Sequence, residues 1–353
     1  MDQTLSKTNS GNFYEDFEIG QTLAHATPRT ITAGDVATYN ALYGARFALQ
    51  SSDEFARKIG LPRSPVDDLL VFHMVFGKTV PDVSLNAVAN LGYANAVFKA
   101  PVYPGDTIHA VSQVTGLKPN SNGKTGVVYV DSIGYNQHGA QVLSYSRWVM
   151  VHRKHPGTPA GESVVPSLPA AAAVTDLEIP AEMDFAAYDY TAAGAKWRWA
   201  DYTVGEKIDH VNGSTVEEAE HQLATRLYQN TAKVHFDQFA AQTTRFKRRL
   251  VYGGHIISVA RGLSFNGLEN GVKILAINAG AHSNPTFAGD TVYAYSEVLE
   301  RFELPNRNDV GALRVRLVGL KDSTAEAFPL RDPDGRYAAQ VVLDLDLTIA
   351  LPR

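Results

Sequence analysis

Residues 227–237, LYQNTAKVHFD, set a carboxamide, Asn230, five positions before an imidazole, His235. Histidine takes and returns protons near neutral pH, whereas a carboxamide orients a water or hydroxyl without exchanging a proton itself. Downstream come the basic run RFKRR (245–249) and then VYGGHIIS (251–258). If a helix starts there, Gly253 and Gly254 let an oxygen approach backbone N–H groups whose dipole favours negative charge. The pattern fits proton transfer beside a stabilised anion. Its plainer alternatives are a solvated histidine and a glycine pair that only allows close packing.

Such a site needs elements to hold it. The 353 residues, 44% of them apolar, can form one large or two ordinary cores, and two domains are expected. A net charge of −5 and a pI near 6.1 give no broad basic field, so no nucleic-acid partner is expected and any anion must be held locally. No cysteine occurs, which excludes disulfides, thiolate nucleophiles and Cys-ligated metals and suits a reducing compartment. The opening MDQTLSKTNSGNFYEDF lacks a basic start followed by an apolar run, and no stretch approaches about 20 uninterrupted apolar residues. We therefore expect a cytoplasmic protein with no membrane partner.

The chain repeats itself. YEDFEIGQTL (14–23) aligns with WADYTVGEKI (199–208) at 199 − 14 = 185, and the register holds through Leu42/Leu227, Tyr43/Tyr228, Val66/Val251 and Gly77/Gly262. PVYPGDTIHAVSQV (101–114) then matches PTFAGDTVYAYSEV (285–298) at 285 − 101 = 184. Near the ends AQVLSYSRWVMV (140–151) answers AQVVLDLDLTIA (339–350), preceded in the second copy by a turn-rich insertion, STAEAFPLRDPDGR, expected as a surface hairpin or loop. So long a period means a duplicated domain, since solenoid units run roughly 20–50 residues. The expected division is 12–154 for the first copy, 155–195 for a Pro/Ala-rich extended connector and 196–353 for the second.

Each copy shares one grammar. TAGDVATYNALYG spaces Val36, Tyr39, Leu42 and Tyr43 as a helix. SPVDDLLVFHMVFG predicts a second, buried helix with Ser64 as N-cap and Pro65 at its first position. Alternating strand patterns follow, with turns at Pro-Gly-Asp and Gln-His-Gly. The class is α+β, an antiparallel sheet wrapped around a central helix.

This grammar, with the Pro-x-x-x-Gly-Asp-Thr turn of both copies, resembles the hotdog fold of the MaoC-like (R)-specific enoyl-CoA hydratases, here as a tandem double hotdog over essentially the whole chain. The two-copy length and LYQNTAKVHFD are most similar to the mesaconyl-CoA hydratase branch. The resemblance implies a reversible dehydration of a branched, carboxylate-bearing 3-hydroxyacyl-CoA, β-methylmalyl-CoA to mesaconyl-CoA. It implies an acyl-CoA partner, no metal and no cofactor besides the CoA of the substrate. The family signature, Gly-Asp-x-Asn-Pro-x-His, supplies a catalytic Asp and His. In the first copy LYGARFALQSS keeps Gly44 but has Ala45 and Gln50 at the acid and histidine positions, and neither transfers a proton. The second copy has Asn230 and His235 there, so the site is expected in that copy.

Water elimination from a 3-hydroxyacyl thioester needs a base for the C2 proton, a proton for the leaving hydroxyl and donors for the enolate-like oxygen. His235 answers the first need and Gly253 and Gly254 the last. The first copy has Asp68 and Leu69 at the matching helix start, where a carboxylate would repel an oxyanion, so that copy is expected to form a wall for the acyl group or CoA. The replacement of the acid by Asn230 leaves two routes: a one-base syn elimination by His235, or entry of Asp237 or Glu220. A free carboxylate on the substrate asks for a cation, first Lys233. Arg245, Arg248 and Arg249 suit CoA phosphates, and Arg46 is a further candidate for the cleft. His73, His109 and His255 are expected to be structural, and a homodimer is expected through unpaired sheet edge. Two other classes stay open: a non-catalytic acyl-CoA-binding protein, and a hotdog thioesterase, whose carboxylate or activated water the signature does not provide.

Overall fold

The computed structural model describes residues 7–157 and 161–353, so residues 158–160 of the expected connector lie outside the described residues. The first half runs β1 (Thr22–Thr30), α1 (Ala33–Tyr43), α2 (Asp68–Thr79), β2 (Ala87–Phe98), β3 (Thr107–Pro119), β4 (Thr125–Tyr135) and β5 (Gln141–His152). The second runs β6 (Lys207–Thr215), α3 (Glu218–Leu227), α4 (Gly253–Leu263), β7 (Lys273–Ala281), β8 (Thr291–Glu303), β9 (Val310–Lys321) and β10 (Val341–Pro352). Thr32 and Asp35 exchange hydrogen bonds as a capping box at the start of α1. Helix α2 starts later than its sequence suggests. Ser64 N–H bonds the Asp53 carboxylate and Val66 N–H the Val102 carbonyl, which holds Pro65 in an extended segment, and Asp67 instead caps the helix through Leu69 N–H. Residues 69–79 of α2 are all buried, as its apolar composition requires.

The strands form one antiparallel sheet in the order β1-β3-β4-β5-β2-β7-β10-β9-β8-β6, in which the second half repeats the first in reverse. The halves join through β2 and β7, where Ala94 faces Ala279, residues 279 − 94 = 185 apart. In the core Tyr43 and Tyr228 share a hydroxyl hydrogen bond of 2.6 Å, and His73 Nε2 lies 2.9 Å from Ser258 Oγ. Both pairs are again separated by 185. Equivalent residues touch only where a two-fold relation passes between them, so the two copies pack face to face about a pseudo-two-fold axis. Phe76, near the end of α2, packs on Tyr252, which precedes α4, with ring centroids 5.8 Å apart. The helices therefore run antiparallel, and the N-terminus of α4 meets the C-terminal end of α2.

The segment between the halves is anchored at both ends of its course. Val164 bridges to Leu117, and Leu177, Met183, Phe185 and Tyr188 are buried against Leu49, Phe55, Ile59 and Leu61. The insertion in the second copy is a loop closed by a bridge between Arg331 and Tyr337. The outer strands β1 and β6 are both bulged, and β1 carries Pro28. Those features disfavour edge-to-edge extension of the sheet. Among the described residues no helix is long and apolar enough to cross a membrane.

Candidate active site

The loop after α3 is bent by its own side chains. Asn230 N–H bonds the Thr225 carbonyl, and Asn230 Oδ1 accepts Ala232 N–H at 3.0 Å, a turn that delivers the chain into the 3-10 segment Lys233–His235. Asn230 is buried, and its amide N–H groups have no protein partner among the described residues. His235 Nδ1 lies 2.9 Å from the Leu250 carbonyl. A carbonyl only accepts, so Nδ1 carries the hydrogen and Nε2 keeps its lone pair. Burial pushes the His235 pKa down to about 4, partly opposed by the Leu250 carbonyl, and the ring is neutral at physiological pH.

Helix α4 opens beside this imidazole. Tyr252 is its N-cap and makes no side-chain cap hydrogen bond, so Gly253 and Gly254 N–H have no side-chain cap, while His255 N–H bonds the Tyr252 carbonyl at 2.9 Å. The Tyr252 ring lies 5.5 Å from that of His235. A Cβ on Gly253 would come within 2.5 Å of the His282 ring, and one on Gly254 within 2.3 Å of Tyr252. Close packing thus requires both glycines, since a side chain at either position would collide with His282 or Tyr252. His282, which follows β7, stands in no motif that would single it out. Burial pushes its pKa down to about 4, and its Nε2 lies 3.3 Å from the Tyr93 hydroxyl.

A cleft of about 450 Å³ adjoins the loop, lined by Gly77 and Lys78 from the end of α2, Arg226, Gln229, Asn230 and Phe236. Lys78 was also missed. It is almost fully buried, bonds Gln229 Oε1, and burial pushes its pKa down to about 8. The corresponding place in the first half is closed. Gln50 donates to the Val272 carbonyl at 3.1 Å, Asp68 is held by Lys273 at 2.9 Å and by Ile274 N–H, and the cavity there is only about 20 Å³.

The remaining candidates are placed unequally. Lys233 is exposed. Arg245 stacks on Phe246 at 4.4 Å, and Arg248 bonds the Ala288 carbonyl. Arg249 is committed to Glu218 and Gln222 of α3. Arg46 is not brought to the site: it stacks at 4.5 Å on Phe265, beyond the far end of α4. Asp237 caps the turn that follows it through Ala240 N–H, and Glu220 is exposed on α3, so neither carboxylate is directed at His235 by a bond in the structure. His73 and His255 belong to the hydroxyl network of the core, through Ser258 and Tyr43.

A family model for mesaconyl-CoA hydratase matches residues 2–329. The chain is 60% identical to a β-methylmalyl-CoA dehydratase from Chloroflexus aurantiacus, over 99% of both proteins. It is 59% identical to a mesaconyl-CoA hydratase from Cereibacter sphaeroides, over 98% of this chain and all of the relative. A crystal structure from C. aurantiacus, assigned as a MaoC domain dehydratase, superposes with a TM-score of 0.97 at 60% identity and covers 99% of both chains. A double-hotdog protein from Mycobacterium tuberculosis shares the fold at a TM-score of 0.76 and 22% identity, with 97% of this chain and 99% of that one covered.

Proposed function

Because the chain belongs to the mesaconyl-CoA hydratase family and is a hydro-lyase, we propose that it interconverts β-methylmalyl-CoA and mesaconyl-CoA at the His235 site. In the dehydrating direction His235 Nε2 takes the C2 proton. The thioester oxygen gains negative charge, which the Gly253 and Gly254 N–H groups at the start of α4 stabilise. The C3 hydroxyl then leaves with the proton that His235 has acquired, as one water, and C2–C3 becomes a double bond. Asn230 steers the leaving hydroxyl through its amide N–H groups, and hydration retraces the path. Lys78 and Arg226 in the cleft, with Lys233, Arg245 and Arg248 nearer solvent, attract the anionic CoA moiety. No metal or further cofactor takes part, and the enzyme works in the cytoplasm.

The observation that carries this reading is the fixed tautomer of His235. A donated Nδ1–H leaves a neutral, lone-pair-bearing Nε2 beside an uncapped glycine helix start. The test is to add purified protein to β-methylmalyl-CoA and follow both enoyl-thioester absorbance and free thiol. Rising absorbance without thiol is the expected result. Thiol release would identify a thioesterase, and binding with neither signal would identify an acyl-CoA-binding protein.

A further inference from the structure

We propose that Arg147, deep in the first half, is the cation that recognises the free carboxylate of the acyl group. This assignment rests on the substrate class proposed above. Arg147 projects from β5 onto the face covered by α2 and is completely buried. A guanidinium is rarely placed there without a carboxylate, because desolvation of a lone charge is costly. Yet no carboxylate pairs with it among the described residues. Its Nη2 donates to Thr79 Oγ1 at 2.8 Å and Ser84 Oγ at 3.4 Å, and it lies 4.3 Å over the Phe76 ring. Among the described residues its Nε and Nη1 have no hydrogen-bond partner, nor does the buried hydroxyl of Tyr252. The titratable groups whose fields it feels are Tyr145, Tyr93 and Tyr252. The cluster is thus rich in donors and short of an acceptor, and a carboxylate supplies up to four lone-pair positions.

The fold itself does not ask for this charge. In the second half the equivalent strand, β10, turns Leu343, Leu345, Leu347 and Ile349 to the core, all buried. The position of the cluster fits the chemistry. Tyr252 lies 5.5 Å from His235 and 5.8 Å from Phe76, on which Arg147 stacks. Tyr93 reaches His282, whose ring lies against Gly253. In β-methylmalyl-CoA the carboxylate is attached to C3, next to the carbon that loses its proton, so its partner must lie just beyond the base and away from CoA. Lys233 is exposed and Lys78 lines the open cleft, which places both on the CoA side. An uncharged acyl chain would leave the guanidinium unpaired, which is how a buried polar group rejects a substrate that lacks its counterpart.

The test compares β-methylmalyl-CoA with 3-hydroxy-2-methylbutyryl-CoA, in which a methyl replaces the carboxylate. Arg147→Leu borrows the residue type of β10, Arg147→Gln removes the charge but keeps amide donors for Thr79 and Ser84, and Arg147→Lys keeps the charge. The Leu and Gln variants are expected to lower kcat/KM for β-methylmalyl-CoA by about 10²-fold or more while the uncharged thioester changes by less than about threefold. The Lys variant should keep the preference for the carboxylate. If Leu does not fold, the Gln variant reports the same ratio. Equal loss on both thioesters by a folded variant would make Arg147 structural and overturn the assignment. If wild type fails to dehydrate β-methylmalyl-CoA at all, the substrate reading falls and takes this assignment with it, an outcome distinguishable because it needs no variant.

Discussion

His235 is held by one carbonyl and by its own burial, and both act in the direction a base requires: Leu250 fixes the proton on Nδ1, and desolvation keeps the ring neutral. The sign for catalysis follows directly. With a pKa near 4 the imidazole gains its proton only below that pH, so kcat/KM for dehydration should stay level from about pH 5.5 to 8 and fall on the acid side with a limb near 4. A pH–rate profile with its acid limb near 6.5 would contradict the environment described for His235. Asn230 and His235 were legible in the sequence because they lie in one short segment whose two copies can be compared position by position. Leu250, His282 and Lys78 were not, since their relation to His235 arises only when the loop, β7 and α2 are brought together. Arg147 did leave a trace: in LSYSRWVMV it shares the parity of Leu143, Tyr145 and Val149, which is the apolar face of the strand.

At the scale of elements, two equivalent helix starts have taken opposite forms. Helix α2 begins with a capping Asp67 and an Asp68 tied to Lys273, whereas α4 begins with two glycines and no side-chain cap. The sequence disclosed this divergence, because Asp68 and Leu69 align with Gly253 and Gly254. It did not disclose how late α2 starts, because the hydrogen bonds that hold residues 64–66 extended come from Asp53 and Val102. The packing at α4 yields a prediction. In Gly253→Ala the new methyl meets the His282 ring, so the melting temperature should fall by an amount corresponding to about 1–3 kcal/mol. Displacement of the helix start should also lower kcat by about 10²-fold. Thermal unfolding with kinetics per folded enzyme separates the two effects; a lower melting temperature with unchanged kcat would reduce the glycine to a packing role.

The whole molecule is a fused pair in which symmetry survives in the scaffold, while the two copies differ at the candidate site. Ala94/Ala279, Tyr43/Tyr228 and His73/Ser258 still meet across the pseudo-two-fold axis, and the sheet order of one half mirrors the other. The duplication was readable from the repeat and the α+β class from the helix and strand patterns within each copy, while the double hotdog was what the family resemblance implied. The packing of residues 177–188 was less readable, because a Pro/Ala-rich stretch carries no periodicity to announce which of its side chains are buried. On the function proposed above, only the second half catalyses. The most direct measurement follows enoyl-thioester absorbance from β-methylmalyl-CoA with wild type, His235→Ala and Gln50→Ala side by side. A loss of at least about 10²-fold in kcat is expected for His235→Ala and a rate within about threefold of wild type for Gln50→Ala. Retention of near wild-type turnover by a folded His235→Ala enzyme would contradict it.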